Sequence, residues 1–371
     1  MKKLKILTVV GTRPEIIRLS RVISCLDKFL DHKLVHTGQN YDYELSEIFF
    51  KDLLVKSPDY QININKNNSV INSISKMLLE VDKIISKEKP DAFLILGDTN
   101  SCLTAYCAKR NKIPIFHIEA GNRCYDQRVP EEINRKIIDH ISDINITYSN
   151  IAKENLLREN LSPDKTFKIG SPLDEVFNFY KKKIFKSKIL NQLKLNKKNY
   201  FLISVHREEN VDIKNNLNKF INLLDYLDKR GKEKIIVSTH PRTMKKIQKH
   251  NLSYKNILFH KPFSYIDYSN LQINSKAVLS DSGSITEEAS IMGFKAINLR
   301  STNERQEGME HGVVPMCHFD IENIEKIISL KKVFDNSLVS DYECKNFSSI
   351  FLNILLSYIN YVNQYTWKKQ I

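Results

Sequence analysis

The amino-acid sequence predicts an α/β protein with two Rossmann-like, doubly wound parallel-sheet domains, and three observations support this fold class. Short apolar segments of strand length alternate with segments of helical spacing through most of the chain. The alternation breaks once, at Gly170-Ser171-Pro172, and then restarts. The chain has 371 residues, whereas one domain commonly has about 100–200. We therefore predict one domain at residues 1–172, a second at 173–346 and a closing helical segment at 347–371.

In the first half, predicted strands are separated by predicted helices. Leu4–Val10 is apolar, and the spacing of Thr12 and Glu15 after it predicts a capping box at the start of the first helix, with Pro14 in its first turn. The other predicted strands of this half are Lys33–His36, Ala92–Leu96, Ile113–Ile118 and Ile144–Tyr148. The predicted helices between them include Val70–Ser86 and a helix through Ala105–Lys109.

The second half repeats the same alternation. Residues 181–199 form a basic helical segment that we interpret as solvated surface, and Phe347–Trp367 is predicted to be the closing helix. The predicted strands are Tyr200–Val205, Lys234–Ser238, Ala277–Leu279 and Lys295–Leu299. Ligands of doubly wound sheets bind beyond the carboxyl ends of the strands. Polar residues that directly follow these strands are therefore the candidate site residues.

The composition limits the classes of function. A formal net charge of +14 fits nucleic-acid binding, a site for anionic small molecules, or a general bias toward lysine. Lysine, asparagine and isoleucine are abundant throughout the chain, and the sequence contains no recognised nucleic-acid-binding motif. We therefore predict a small anionic ligand and no nucleic-acid partner.

The sequence contains no clear signal for export, membrane insertion or cofactor binding. The N-terminal apolar run is short and leads into GTRPE instead of a small-residue cleavage site, and no apolar run is long enough to span a bilayer. The six cysteines lack C-x-x-C or Cys/His spacing, which favours reduced thiols in a cytoplasmic protein. Dinucleotide, P-loop and metal-binding motifs are absent from the sequence. We predict a cytoplasmic protein with no cofactor, no metal and no membrane partner.

Three carboxylates are the main candidates for acid–base chemistry. Asp98 and Glu119 each follow an apolar strand, and Glu131 lies near a predicted helix start with Arg135 four residues later. Charges beside buried strands are costly to hold. A structural ion pair explains one such acid well, but three within a short stretch favour a catalytic set.

The turn after the first strand is a candidate anion site. Residues Gly11–Glu15 place Arg13 at the N-terminus of the first helix, with Arg18 five residues further on. Exposed backbone N–H groups and a nearby cation attract an anion at such a position. A capped helix with a surface arginine is the alternative.

A second strand-to-helix turn has the sequence Ser282-Gly283-Ser284. Glycine allows a ligand to approach the backbone closely, and Ser284 with Glu287 predicts another capping box. Glu288 could accept hydrogen bonds from ribose hydroxyls. A simple capped turn without a ligand remains the alternative interpretation.

Two histidines follow strands of the second half. His206 and His240 each have an arginine nearby, Arg207 and Arg242 respectively. A single histidine at such a position is more often structural. Two histidines with two arginines at parallel strand ends favour a site for an anionic ligand.

Nine short motifs occur in an order that resembles the non-hydrolysing UDP-N-acetylglucosamine 2-epimerase family. From residue 6 to about residue 315 they are GTRPE, HTGQNYD, LGDTNS, HIEAG, PEEINR, SVHREEN, STHPR, DSGSITEEA and NERQE. Each motif is weakly specific alone, whereas the ordered set is highly specific. The resemblance implies a GT-B-like fold, in which two Rossmann-like domains face a cleft and a C-terminal helix crosses back to the first domain. It also implies a homodimer, because members of the family are commonly dimers.

The segment after HIEAG resembles one subgroup of this family. Most members continue with Leu-Arg and a Pro-Phe-Pro-Glu-Glu stretch, whereas this chain has NRCYDQRVPEE. That form is similar to the capsule and O-antigen epimerases that make UDP-N-acetyl-L-fucosamine from UDP-2-acetamido-2,6-dideoxy-L-talose. Two departures from the family pattern, Arg18 for Lys and Ser284 for Gly, keep groups that can contact a phosphate. The residues assigned to subgroup specificity are Asn122, Arg123, Asp126, Gln127 and Arg128.

The resemblance also implies a mechanism, in which UDP is eliminated across C-1 and C-2 to give a glycal and is then added back. It places the catalytic roles on Asp98, Glu119, Glu131 and His206, and leaves open which acid removes the C-2 proton and which returns it. The residues implied to bind the nucleotide or the sugar are Arg13, Arg18, Arg135, His240, Arg242, Tyr268, Ser282, Gly283, Ser284, Glu288 and Arg305.

Three other functions fit the same sequence. One is a UDP-GlcNAc/UDP-ManNAc 2-epimerase, which differs only in the sugar. Another is a GT-B glycosyltransferase using a UDP-sugar, which would need an acceptor and would release UDP. The third is a non-catalytic nucleotide-sugar sensor, which would not need three acids at strand ends.

Overall fold

The computed structural model describes residues 3–39, 50, 52–65, 69–239, 241–248, 253–330 and 339–370. The chain divides into two compact units. Unit 1 comprises Met1–Asn178 and Asp341–Ile371, and unit 2 comprises Phe179–Ser340. The first crossing from unit 1 to unit 2 therefore falls inside the helix Pro172–Phe185.

Unit 1 contains a seven-stranded parallel sheet with the order β3-β2-β1-β4-β5-β6-β7. Its strands are β1 (Lys5–Val10), β2 (Asp31–His36), β3 (Tyr60–Gln61), β4 (Ala92–Leu96), β5 (Ile115–Ile118), β6 (Ile144–Thr147) and β7 (Thr166–Lys168). The central strands are short and almost entirely buried; all residues of β4 and β5 are buried. Such uninterrupted apolar strands are typical of a sheet covered on both faces.

The helices of unit 1 largely follow the predicted pattern. They are Arg13–Phe29, Val70–Glu88, Ala105–Arg110, Pro130–Ile141, Asn150–Arg158, Pro172–Phe185 and Phe347–Tyr361, with 3₁₀ turns at Asn100–Thr104, Pro163–Lys165 and Ser340–Tyr342. The closing helix ends at Tyr361, earlier than predicted, and continues as a π-helical turn over Val362–Thr366.

The closing helix packs on the first domain, as the resemblance implies. It contacts the first helix, Arg13–Phe29. The backbone N–H and hydroxyl of Ser348 each donate to the Glu175 carboxylate at 2.7 Å. The rings of Phe351 and Phe116 meet edge to face, with centroids 6.2 Å apart. These contacts attach the C-terminal segment to unit 1.

Unit 2 contains a five-stranded parallel sheet with the order β10-β9-β8-β11-β12. Its strands are β8 (Tyr200–Ser204), β9 (Lys234–Ser238), β10 (Ile257–His260), β11 (Ala277–Ser280) and β12 (Ala296–Asn298). Its helices are Ile189–Gln192, Glu208–Val211, Lys214–Arg230, Pro241–Gln248, Tyr265–Asn274, Ile285–Met292, Gln306–Glu310 and Ile321–Ser329. Apolar residues of the strands and helices form one core cluster in this unit.

The predicted fold class is confirmed, because each unit is an open parallel sheet whose strands are joined by helical crossovers. The bounds of β4 and β9 agree with the prediction at both ends. Strands β3, β7 and β10 were not predicted; each lies at an edge of its sheet. Among the described residues, no helix has the length and apolar character needed to cross a membrane.

Candidate active site

Two of the three predicted acids lie beyond adjacent strands of unit 1. Strands β4 and β5 pair in parallel, and the N–H of Gly97 donates to the carbonyl of Ile118 at 2.9 Å. Asp98 and Glu119 directly follow these two residues, so both lie beyond the carboxyl ends of adjacent strands. Glu131 lies in the first turn of the helix Pro130–Ile141.

Arg135 joins this helix to the first acid. Its Nε and Nη2 donate to Oδ2 of Asp98 at 3.0 and 2.7 Å. On its own helix, Nη1 of Arg135 donates to Glu132 at 3.0 Å. The neighbouring Asn134 donates to the Asp98 backbone carbonyl at 2.9 Å. The Asp98 carboxylate is therefore held by a nearly buried guanidinium.

Glu119 has an unusual backbone conformation. Its φ is +70°, in the left-handed region, which costs a residue other than glycine about 1–3 kcal/mol and which is frequent at functional sites. Its carboxylate lies 3.6 Å from Nε of Arg18 and accepts from the Tyr148 hydroxyl at 3.3 Å. The structure thus brings Arg18, one of the predicted anion ligands, to an acid.

The predicted anion turn after β1 is tied down by Glu15. Its buried carboxylate accepts from the N–H groups of Gly11 and Thr12 at 2.5 and 2.7 Å, as the predicted capping box requires. It also accepts from the Thr99 hydroxyl at 2.6 Å, in the turn that carries Asp98. Burial raises the pKa of Glu15, although these hydrogen bonds oppose the shift. Arg13 is the first residue of the helix and is half-buried.

Arg123 braces the segment that the sequence assigns to subgroup specificity. Its buried guanidinium donates to Asp139 at 2.7 Å and to Glu159 at 2.6 and 2.7 Å. Burial alone would lower the pKa of Arg123, but the two carboxylates outweigh it and raise the pKa. Asp139 also accepts from the N–H of Gly121 and lies 3.0 Å from Nδ1 of His117. The geometry gives Arg123 a role in holding the loop.

The other residues of this segment differ in exposure. Asn122 is buried, whereas Gln127 and Arg128 are exposed. The Asp126 carboxylate accepts from Nε and Nη2 of Arg128 at 2.9 and 2.7 Å. The Arg128 side chain is therefore exposed although it is paired with Asp126, while the start of the segment is buried in unit 1.

In unit 2, Asp281 organises the residues that follow β8. Its buried carboxylate accepts from the backbone N–H groups of His206 and Arg207 at 2.9–3.1 Å and from the side chain of Asn210 at 3.0 Å. Nδ1 of His206 lies 3.2 Å from Oδ1 of Asp281, and the ring is 42% exposed. The imidazole is thus oriented by a buried acid and accessible from outside.

The turn Ser282-Gly283-Ser284 does not form the capping box that the sequence predicts. The Ser284 hydroxyl donates to Glu288 at 2.6 Å. Glu287 is buried and pairs with Nη2 of Arg305 at 3.0 Å. The prediction was wrong because Glu287 has a partner from a distant part of the chain, which the spacing cannot reveal.

Arg305 and Tyr268 lie near the same turn. Nε of Arg305 donates to the Gly283 carbonyl at 3.1 Å. Glu288 accepts from Nε2 of Gln272 at 2.6 Å. Burial, together with the negative charge of Glu288, raises the pKa of Tyr268, so this phenol stays neutral at physiological pH. Glu288 and Arg305 therefore both contact the turn Ser282–Ser284, and the charge of Glu288 acts on Tyr268.

The structure does not describe the side chains of two predicted site residues, His240 and Arg242. His240 lies outside the described residues, and Arg242 is described only as part of the helix Pro241–Gln248. Among the described residues, no group of three His, Cys, Asp or Glu side chains could hold a metal ion.

Sequence reasoning missed two buried carboxylates that support the site, Asp281 and Glu132. Asp281 follows β11 just as Asp98 follows β4, and this shared position was a usable signal. Glu132 gave no such signal, because its partners Cys124 and Tyr125 lie in a loop without a recognisable pattern.

The two parallel sheets, each with polar side chains beyond the carboxyl ends of its strands, define a protein of the Rossmann-like α/β class. Residues 25–346 match the family described as UDP-N-acetylglucosamine 2-epimerase. The chain therefore belongs to the UDP-N-acetylglucosamine 2-epimerase family, and it is an isomerase.

Three similar proteins illustrate the range of the family. The chain is 49% identical to the solved UDP-N-acetylglucosamine 2-epimerase from Rickettsia bellii, with a TM-score of 0.92 over 99% of this chain and 100% of that one. It is 34% identical to the Methanocaldococcus jannaschii UDP-GlcNAc 2-epimerase solved in complex with UDP-GlcNAc and UDP, with a TM-score of 0.88 over 95% and 100%. It is also 33% identical to the UDP-2,3-diacetamido-2,3-dideoxy-D-glucuronate 2-epimerase of Pseudomonas aeruginosa, over 81% of this chain and 84% of that protein.

Proposed function

We propose that this enzyme inverts C-2 of a UDP-N-acetyl amino sugar, most specifically that it converts UDP-2-acetamido-2,6-dideoxy-L-talose to UDP-N-acetyl-L-fucosamine for capsule or O-antigen synthesis. The observation that carries the reaction type is the placement of Asp98 and Glu119 beyond adjacent strands, each beside an arginine. The choice of sugar rests on the segment Asn122–Arg128, which departs from the general family pattern.

The proposed reaction has two stages. A carboxylate removes the C-2 proton while the bond between C-1 and the UDP oxygen breaks, which gives UDP and a 2-acetamidoglycal. A second acid then protonates C-2 on the opposite face, and UDP adds back at C-1. A positioned acid or base contributes roughly 10²–10⁴-fold to such a step. Asp98, Glu119 and Glu131 are the proposed acids and bases.

The departing diphosphate needs positive charge and hydrogen-bond donors. We assign this role to Arg13, Arg135, His206 and the turn Ser282–Ser284. Donors of this kind contribute roughly 2.7–4 kcal/mol each when they stabilise developing charge. The proposed nucleotide and sugar contacts are Arg18, His240, Arg242, Tyr268, Glu288 and Arg305. Under this proposal the acids of the first domain act on the sugar, and the second domain supplies most of the contacts to UDP.

Incubation with substrate in D₂O tests the reaction type. Product and recovered substrate should carry deuterium at C-2, because the proton is lost and returned from solvent. Asp98→Asn, Glu119→Gln and Glu131→Gln should each lower kcat by roughly 10²–10⁴-fold. Glu154→Gln, which changes an exposed acid paired with Arg158, is the matched control and should keep full activity. Turnover without deuterium at C-2 would exclude the elimination route.

Separate assays with two sugars test the substrate. UDP-GlcNAc and the UDP-L-talosamine-type sugar are supplied separately, and the products are identified by NMR. Inversion of the talose derivative alone supports the subgroup proposal. Inversion of UDP-GlcNAc alone supports the second candidate, a UDP-GlcNAc/UDP-ManNAc 2-epimerase, which the names of the similar proteins favour. Replacing residues 122–130 with the general family sequence should then shift the preference toward UDP-GlcNAc.

We also propose that the enzyme acts in the cytoplasm as a homodimer. All six cysteines are free thiols, which supports a reducing compartment. The dimer rests on the family resemblance. Sedimentation velocity at several protein concentrations tests it, and a single species of about the chain mass of 43.3 kDa would contradict it.

A further inference from the structure

We infer that Glu132 is a positioning residue that holds the loop at Cys124 and Tyr125 and the guanidinium of Arg135 at the same time. It thereby links the segment proposed to select the sugar to the acid Asp98. The inference rests on the proposed function, because that proposal assigns Asp98 and Arg135 to the reaction.

The Glu132 carboxylate is fully buried, with a side-chain exposure of 0%. Its Oε2 accepts from the backbone N–H of Cys124 at 3.0 Å, and its Oε1 accepts from that of Tyr125 at 3.1 Å. Oε2 also accepts from Nη1 of Arg135 at 3.0 Å and from the Cys124 thiol at 3.3 Å. A buried carboxylate is stable only when its oxygens are well paired. These donors, from the loop and from the helix, therefore hold the side chain in one position.

The loop depends on these bonds because its backbone is strained. Tyr125 has a φ of +57°, in the left-handed region that a residue with a large side chain rarely adopts. Its side chain is 74% exposed, so packing contributes little to holding it. Its hydroxyl donates to Oδ1 of Asn155 at 3.2 Å, and the hydrogen bond from its N–H to Glu132 holds its backbone.

Arg135 transmits the constraint to Asp98. Nη1 contacts Glu132, whereas Nε and Nη2 contact the Asp98 carboxylate at 3.0 and 2.7 Å. The guanidinium is planar and rigid, so a change at Nη1 turns the other two donors as well. The Arg135 side chain is only 3% exposed, and water has little access to replace a lost contact.

Kinetics of Glu132→Gln provide the first test. This change keeps the shape of the side chain and removes its charge. We expect kcat to fall roughly 10- to 100-fold, as for a displacement of about 1 Å in a reacting group, with a smaller change in KM. Glu154→Gln is again the control. If Glu132 acts through Arg135, the double variant Glu132→Gln/Arg135→Gln should be no slower than Arg135→Gln alone. Multiplicative effects would overturn the inference.

Thiol labelling provides a second test that needs no activity. Burial and the adjacent Glu132 carboxylate raise the pKa of the Cys124 thiol, with Arg135 opposing the shift. In Glu132→Gln the thiol loses this acid. The loop also loses one of its two backbone hydrogen bonds, because the glutamine NH2 group cannot accept from an N–H. Alkylation of Cys124 by iodoacetamide, measured by peptide mass spectrometry with Cys25 as the internal reference, should become several-fold faster.

The two tests separate the two proposals. Unchanged Cys124 labelling and unchanged kcat in Glu132→Gln would overturn the role of Glu132. Faster labelling in a protein whose wild type inverts neither sugar would support the hold on the loop and refute the proposed function. Circular dichroism and thermal unfolding of each variant show that the comparisons are made on folded protein.

Discussion

Asp281→Asn should loosen the segment after β8 and weaken nucleotide binding. In the wild type the buried carboxylate accepts from the N–H groups of His206 and Arg207 and from Asn210. Hydrogen bonds to a charged group contribute roughly 1.5–3 kcal/mol each, and neutral ones about 0.5–1.5 kcal/mol. For three bonds the difference amounts to about 3 kcal/mol. The substitution also removes the negative charge that lies 3.2 Å from Nδ1 of His206.

Amide hydrogen exchange measures the loss of these hydrogen bonds at the N–H groups that make them. A cost of about 3 kcal/mol should lower the protection of the N–H groups of residues 206 and 207 by roughly 100-fold, if they exchange through local opening. UDP affinity, measured by calorimetry, should fall in the same variant because the His206 ring and backbone lose the buried carboxylate that orients them. Asp320→Asn is the matched control: Asp320 caps the helix Ile321–Ser329, and asparagine caps as well as aspartate. Protection within about threefold of the wild type in Asp281→Asn would refute the reasoning.

Three further predictions follow from the described geometry. Burial lowers the pKa of His36 from 6.5 to about 4, so the unfolded state binds more protons between these values. The free energy of unfolding should therefore drop by about 3 kcal/mol as pH falls through this window, and His36→Asn should remove that drop in urea titrations. Gly121 has a φ of +85°, and an added Cβ would meet the Ala152 carbonyl; Gly121→Ala should cost about 2–4 kcal/mol in chemical denaturation. At Gly283 an added Cβ would meet the flexible end of Glu304, so Gly283→Ala should change stability by less than about 1 kcal/mol while calorimetry shows weaker UDP binding.

The glycine predictions have an internal control. Gly312 has a φ of +62°, and nothing lies within 4 Å of an added Cβ. Gly312→Ala should therefore show only the backbone cost, about 1 kcal/mol, and the excess in Gly121→Ala measures the clash. Equal costs at both positions would show that the loop around Gly121 relaxes.

For His36, a pH profile of the unfolding free energy that is identical in variant and wild type would contradict the assigned titration.

The pattern of apolar strands and helices was enough to predict the fold class. A parallel strand that is buried on both faces must be apolar along its length, and β4, with the sequence AFLIL, therefore appears in the sequence with its full bounds. The three edge strands that were not predicted lack this signature; β10, for example, has only intermediate or exposed residues. The same reasoning located Asp98 and Glu119, because the carboxyl ends of buried parallel strands are where a doubly wound sheet binds its ligand.

Side-chain partners could not be predicted, because they depend on which distant residues the fold brings into contact. The spacing of Ser284 and Glu287 favours a capping box, yet a buried ion pair with Arg305 takes Glu287 away. The family resemblance assigns Arg123 to subgroup specificity, whereas in the structure its guanidinium pairs with Asp139 and Glu159. A long-range charge pair in a buried setting outweighs a local preference of about 1 kcal/mol.

By itself the sequence determined the two parallel sheets, the acids beyond β4 and β5 and the resemblance to a family. All three depend on which residues follow one another along the chain, and not on which residues meet in the fold. Only the tertiary structure decided which groups hold those acids. Two buried carboxylates show this. Asp281 accepts from the N–H of His206, and Glu132 accepts from the loop at Cys124 and from Arg135, so the donors come from separate elements of the fold. Their cost of burial is offset only when all of these donors converge, and that convergence exists only in the folded chain.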